Sequence, residues 1–346
     1  MVGVGHQYIN KLRILAIYAV ITGHVTIWMT RDTEPYTFNW WVGCWIFSMC
    51  MCSIPIFVMV SGALLLDDSR EESPIKFYKR RAYRLGIPLV VWSVVYIAVR
   101  KLVDQEEHSV RSIIGLIVTG DLYYHLWYLY MIPGLYLITP PLRTFVRHSS
   151  QKERLFVIVT IIVLANIYFQ TDTLIWKNQR TIFTMFVPYI AYYLCGYELR
   201  RIDPRKITSR YLVAAVIACA LYLTAISGVF YEQQGGVNTR FVFNFFSPPI
   251  AIMSIAIFWA AHLHGLKAKP LKGIPKTAVE WIASTTLGIY VIHPVILEYI
   301  RERLGNHASD GIFLLSVIAI PLFTFAVCYL ITSLIMNVPV LRRTVC

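Results

Sequence analysis

Long apolar runs, each closed by a short polar or charged break, alternate along nearly the whole chain. A helix needs about 20 residues to cross a bilayer, and ten runs are long enough: 12–30, 40–66, 84–103, 121–142, 154–170, 181–199, 211–230, 240–263, 281–300 and 311–336. Helix is the expected form, because a helix satisfies its backbone polar groups within the segment. The stretch 110–120 is apolar but too short to cross, which predicts an interfacial segment. Prolines inside several runs (Pro55, Pro88, Pro133, Pro188, Pro248 and Pro249) predict kinks beside a cavity, where freed backbone groups meet protein or water. No break between runs is large enough for a soluble domain. The reading is one all-α polytopic integral membrane domain over 1–346, with about ten transmembrane helices.

Composition agrees. The 346 residues are 57% hydrophobic and 15% charged, with mean hydropathy +0.58, whereas a soluble domain carries about 25% charged residues. A net charge of +13 raises the question of a nucleic-acid partner. With the N-terminus in the cytoplasm, 23 of the 32 lysines and arginines fall on inner segments. The excess is therefore positive-inside topology, with both termini cytoplasmic, and no nucleic acid is expected. The first run lacks a small-residue cleavage site and is followed by Arg31, so it reads as retained. A multi-pass protein of the bacterial inner membrane is expected. The seven cysteines lie mostly inside runs, and the Cys50–Cys52 spacing suits no metal. They read as apolar fillers, and no metal is expected. No internal repeat or inverted-half pattern of a secondary transporter is visible.

Polar residues inside the runs carry the candidate chemistry. Arg13 and His24 bracket "RILAIYAVITGH". Eleven residues on a helix give about 16–17 Å of rise and about 20° of rotation, so both project from one face. A buried imidazole is costly unless it lines a cavity or finds a partner. "KRRAYRLGIP" places Arg81 and Arg84 three apart at the foot of the third run, helical neighbours there. They either fork onto phosphate oxygens or anchor topology. Ser61-Gly62 permits close approach of a ligand or of another helix. "YYHLWYLY" holds His125, Trp127 and Tyr130, as an interfacial belt or a binding wall. "STTLGIYVIHP" brings Tyr290 and puts His293 at about 18 Å beyond Trp281. That depth matches His24, and two histidines at one depth suggest a shared polar cavity.

In this order the five patches resemble the acyltransferase-3 family of bacterial integral membrane acyltransferases. That family carries an arginine, ten residues and a histidine in its first span, matched by Arg13 and His24. Its R-x-x-R is matched by Arg81 and Arg84, its S-G by Ser61-Gly62, and its H-L-W-(F/Y)-L by the stretch from His125. Its late S-x-G-I-Y-x-x-H is echoed by Ser284 or Thr285, then Gly288, Tyr290 and His293. Two features depart. Many members have an aspartate where this chain has Asn10, so Arg13 needs another partner, and the chain ends at Cys346 without the extracellular hydrolase-like domain of some relatives. The resemblance implies acetyl-CoA as donor and a hydroxyl of a surface glycan, or its lipid-linked oligosaccharide precursor, as acceptor. It implies that Arg81, Arg84, Ser61, Gly62 and Arg13 serve the donor, and that His24 is catalytic with Arg13 and His293. His125, Trp127, Tyr130 and Tyr290 then serve the acceptor. His24 either takes the hydroxyl proton or accepts the acetyl group itself. Competing readings are a glycan transporter or flippase, or a sensor that has lost chemistry. A phosphate-binding inner mouth separates the enzyme from an exporter.

Overall fold

The computed structural model describes residues 7–67, 73–102, 109–172, 181–234, 242–267, 276–304 and 312–345. Among these the regular elements are all helical. In chain order they are α1 (Gln7–Arg31), α2 (Phe38–Cys50), α3 (Ser53–Leu65), α4 (Pro74–Arg81), α5 (Ile87–Leu102), α6 (Val110–Thr119), α7 (Trp127–Leu137) and α8 (Thr139–His148). Then follow α9 (Gln151–Thr171), α10 (Ile190–Arg201), α11 (Ser209–Gln234), α12 (Pro248–Lys267), α13 (Lys276–Ser284), α14 (Thr286–Leu304), α15 (Phe313–Met336) and α16 (Pro339–Arg342). A π-helical turn, Ala82–Gly86, joins α4 to α5.

Seven rods are long and apolar enough to cross a bilayer, taking Phe38–Leu65 and Pro74–Leu102 as single rods, and the pair α13–α14, bent by 53°, brings the number to eight. They fall on predicted runs. The runs 121–142 and 181–199 take a different form. Only their later parts are α-helical, as α7–α8 and α10, while 121–126 is irregular and 181–189 consists of turns and one 3-10 turn. Irregular backbone is tolerated at membrane depth where it lines a cavity, and His125, Thr184 and Tyr189 do line one. The short stretch near 110–120 forms α6, which buries no residue. Gly120, at φ 76°, supplies the left-handed cap that ends it.

The face of the bundle that carries Gln7 is termed the near face here, and the opposite one the far face. The centre is built from α1 and the α2–α3 rod, whose apolar windows are 56% and 67% buried. The α4–α5 rod at 11% and α9 at 17% form the rim. Toward the near face α3 and α10 touch backbone to backbone. A Cβ on Gly62 would stand 1.8 Å from the Tyr193 carbonyl oxygen, and one on Gly196 1.9 Å from that of Met59. Helices in lipid associate by such close packing. Arg200 closes the joint by donating to the Ala63 carbonyl at 2.6 Å.

The start of α9 is set by a capping box between Ser150 and Glu153. The next residue, Arg154, is buried. It pairs with buried Glu198 of α10 and donates to the carbonyl oxygens of Ser149 and Val146. Because its donors are shared among a carboxylate and two carbonyls, this guanidinium is tolerated in the interior.

Candidate functional site

Three imidazoles from three segments meet in the far half of the bundle. His24 of α1 stacks on His293 of α14 with ring centroids 5.5 Å apart and planes 26° apart. His293 meets His125, just before α7, edge to face at 5.5 Å and 80°. Tyr124 lies 4.9 Å from His24, and Tyr290 lies 5.4 Å from His125.

Local sequence explains each placement. Gly23 lets α2 approach beside His24, since a Cβ there would already be 3.2 Å from the Cys50 Cβ. The break between α2 and α3 falls at this level, and Cys50, Met51, Ser53 and Ile54 face the same space as His24. In α14 the cause is Pro294, which has no N–H for the carbonyl four residues earlier. That carbonyl belongs to Tyr290, and His293 Nδ1 occupies it at 2.7 Å. A carbonyl only accepts, so Nδ1 carries the ring proton and Nε2 of the neutral ring holds the lone pair. His125 is fixed through its backbone, whose carbonyl accepts from the Tyr290 hydroxyl. Both of its ring nitrogens, and His293 Nε2, are buried with no protein partner. Each such atom costs about 1–3 kcal/mol if nothing pairs with it.

His24 and His125 line a cavity of about 1470 Å³. Its walls are rich in aromatic rings, including Phe47, Tyr124, Trp127, Tyr168 and Phe245, and its polar lining includes Asp172, Asn244 and Thr184. That volume exceeds the roughly 300–1,000 Å³ typical of small-molecule sites. Asn244 is held in place by the Phe246 N–H, which it accepts at 3.0 Å, and by Asn166, to which its amide donates at 3.3 Å. Three rings together do not make a metal centre: among the described residues no group of three or more His, Cys, Asp or Glu side chains could hold an ion.

The structure thus brings together His24, His125, Trp127, Tyr290 and His293. Trp127 packs 5.9 Å from Phe245 and 6.0 Å from Tyr189 in the cavity wall. Tyr130 turns away, its hydroxyl paired with Ser93 at 2.8 Å, and is not in the lining. The residues expected at the donor lie apart from the cavity. Arg13 donates to Thr286 Oγ1 at 3.0 Å, at the bend between α13 and α14. Thr286 is a partner for Arg13 where the chain has Asn10 instead of a carboxylate. Arg81 lies over Phe77 and Tyr136, 5.4 and 5.3 Å from the ring centroids, with its Nε buried and unpaired. Arg84 is exposed within the π turn that follows Arg81 at the end of α4. Ser61 donates to the Phe57 carbonyl at 3.0 Å, and the face of Gly62 is taken by Tyr193.

Sequence reading passed over Thr286, Tyr124, Asn244 and Arg143. Arg143 is buried, donates from Nε to the Leu65 carbonyl at 2.8 Å, and lies 4.9 Å from the Phe77 ring that Arg81 also covers. Asn244 had a signal: it is a lone amide inside the apolar stretch "FVFNFF".

The model of the acyltransferase-3 family, described as an acyltransferase domain, matches residues 6–333. The match spans nearly the whole chain, so the chain belongs to this family. Comparison with curated proteins and with solved structures gives no match.

Proposed function

We propose that this membrane acyltransferase takes an acetyl group from acetyl-CoA at the near face. It delivers the group at His24 to a hydroxyl of a surface glycan, or of its lipid-linked precursor, held in the far-side cavity. The carrying observation is the position of His24: it lies in the wall of an aromatic cavity while sharing a helix with Arg13 about 16 Å nearer the other face. Aromatic walls with scattered amide and carboxylate groups suit a sugar, which presents apolar ring faces and hydroxyl edges. Within the family, the late stretch Leu287 to Tyr290 resembles that of the enzyme that O-acetylates enterobacterial common antigen. We take that class of glycan as the first acceptor to test.

The near face is read as cytoplasmic from the lysine and arginine bias, with both termini inside, and the bacterial inner membrane is the proposed location. Ten passes are proposed, and the connectivity supports them. Residues 121–148 run from the His24 level to Arg143, bonded near the end of α3. Residues 187–201 run from Tyr189 in the cavity wall to Arg200, bonded at Ala63. These two segments, added to the eight rods, make ten.

Arg81 and Arg84 would grip donor phosphates, as planar guanidinium groups do, with Arg13 contacting the long arm that reaches His24. His24 then acts on the acetyl group as base or as nucleophile. A flippase reading is not favoured, since the family matched is an acyltransferase domain. The test is direct transfer. Purified protein is mixed with radiolabelled acetyl-CoA and with surface glycan freed of its esters by mild base. Label should enter the glycan as a base-labile ester with the wild type and not with His24→Ala. Equal labelling by both proteins contradicts the assignment of His24, and no labelling by the wild type contradicts the proposed donor or acceptor.

A further inference from the structure

Three ring nitrogens of the histidine cluster lack a protein partner, and the scheme above uses none of them. They are Nε2 of His293 and both nitrogens of His125, in side chains that are 0% and 1% exposed. The neighbouring hydroxyls are spent elsewhere. Tyr290 donates to the His125 carbonyl, and Tyr96 donates to the Val291 carbonyl at 2.7 Å. The tautomer of His293 is set by its Nδ1 bond to Tyr290, so its Nε2 can only accept while the ring is neutral. A neutral His125 offers one N–H and one lone pair. A group between the rings must therefore donate to His293, which a carbonyl cannot do, and a hydroxyl can in addition accept from the His125 N–H. The two rings are in edge-to-face contact, with centroids 5.5 Å apart at 80°. His125 lines the cavity, which gives an acceptor its route in.

We infer that His125 and His293 form the site for the acceptor hydroxyl, with His293 Nε2 as the base that takes its proton and the His125 N–H holding its oxygen. This rests on the reading of the cavity as the acceptor's. It removes acid–base work on the acceptor from His24 and leaves His24 to the acetyl side. The step balances. The acceptor O–H bond breaks and its proton goes to His293 Nε2, while the oxygen forms a bond to the acetyl carbonyl carbon. That carbon releases its leaving atom, the thioester sulfur or a His24 nitrogen, which keeps the electron pair and then receives the proton from His293. His24 stacks beside His293, with ring centroids 5.5 Å apart.

The experiment compares His125→Asn with His125→Leu, two side chains of nearly the same shape that differ in hydrogen bonding. Initial rates are measured with radiolabelled acetyl-CoA and the de-esterified surface glycan, varying each in turn. With His125→Leu the KM for glycan should rise and kcat fall, together by about tenfold or more in kcat/KM, as expected for buried partners left unpaired. The KM for acetyl-CoA should stay unchanged. His125→Asn, which restores an N–H, should recover part of that loss. A packing role predicts no advantage of Asn over Leu, and that result, or an unchanged glycan kcat/KM in both, overturns the inference. If His125→Leu does not purify as a monodisperse species, His125→Phe takes its place against Asn under the same criteria. Failure of the wild type to label the glycan at all is a separate result: it overturns the reading of the cavity, and this inference with it.

Discussion

Single side chains account for most of the chemistry. Arg13 and His24 were visible in the sequence because a helix of known pitch turns eleven residues into one face, and His293 because its depth could be counted from Trp281. The shared cluster of His24 and His293 agrees with that count. His125 was assigned to the acceptor only through the family resemblance, because a histidine in an aromatic belt carries no signal of depth or of missing partners. In the proposed scheme the two stacked rings work on one transfer, so their losses should not add. His24→Ala should abolish turnover, and the double variant with His293→Ala should be hardly worse than His24→Ala alone. Steady-state labelling of glycan checks this, and a further large loss in the double variant would mean independent roles. At the donor side, Arg81→Lys keeps the charge but loses the planar fork over Phe77 and Tyr136. Its apparent KM for acetyl-CoA should rise by about tenfold, a loss in the range for one charge-assisted bond. An unchanged KM returns Arg81 to a topological anchor.

At the scale of elements, two joints carry specific expectations. Pro294 leaves the Tyr290 carbonyl to the His293 ring, so Pro294→Ala restores a helical N–H that competes for it. Turnover should fall while thermal stability in detergent holds or rises. A variant with full activity would show that the ring does not depend on this bond. The Arg154–Glu198 pair is buried at the joint of α9 and α10, and Glu198→Ala strands the guanidinium at a cost of about 3–5 kcal/mol. A melting curve that does not shift would show the pair to be dispensable. Eight rods were legible from hydropathy alone, because length and apolarity are local properties. The irregular starts of the 121–142 and 181–199 runs were not, because what permits them is a cavity built by other segments. The π turn at Ala82–Gly86 was hidden for a similar reason, since "AYRLG" contains no proline and its single glycine does not distinguish a π turn from regular helix. Gly62 shows two readings of one signal. Its close approach was expected, and the backbone of Tyr193 occupies it.

For the whole molecule, the proposed arrangement sets the ring of His24 between two faces that present different chemistry. Guanidinium groups over aromatic rings gather around Phe77, including Arg81 and Arg143, while the cavity beyond His24 is aromatic with few charges. A donor and an acceptor of different character can then approach one histidine from opposite sides without either crossing the bilayer. The central claim is that this transfer acetylates a surface glycan. Mass spectrometry of glycans from cells lacking the protein, cells restored with wild type and cells restored with His24→Ala tests it most directly. The account predicts a mass increase of one acetyl group per modified unit with the wild type only, at equal membrane levels of both proteins. Identical glycan masses in all three strains, or an acetyl group retained with His24→Ala, would contradict it.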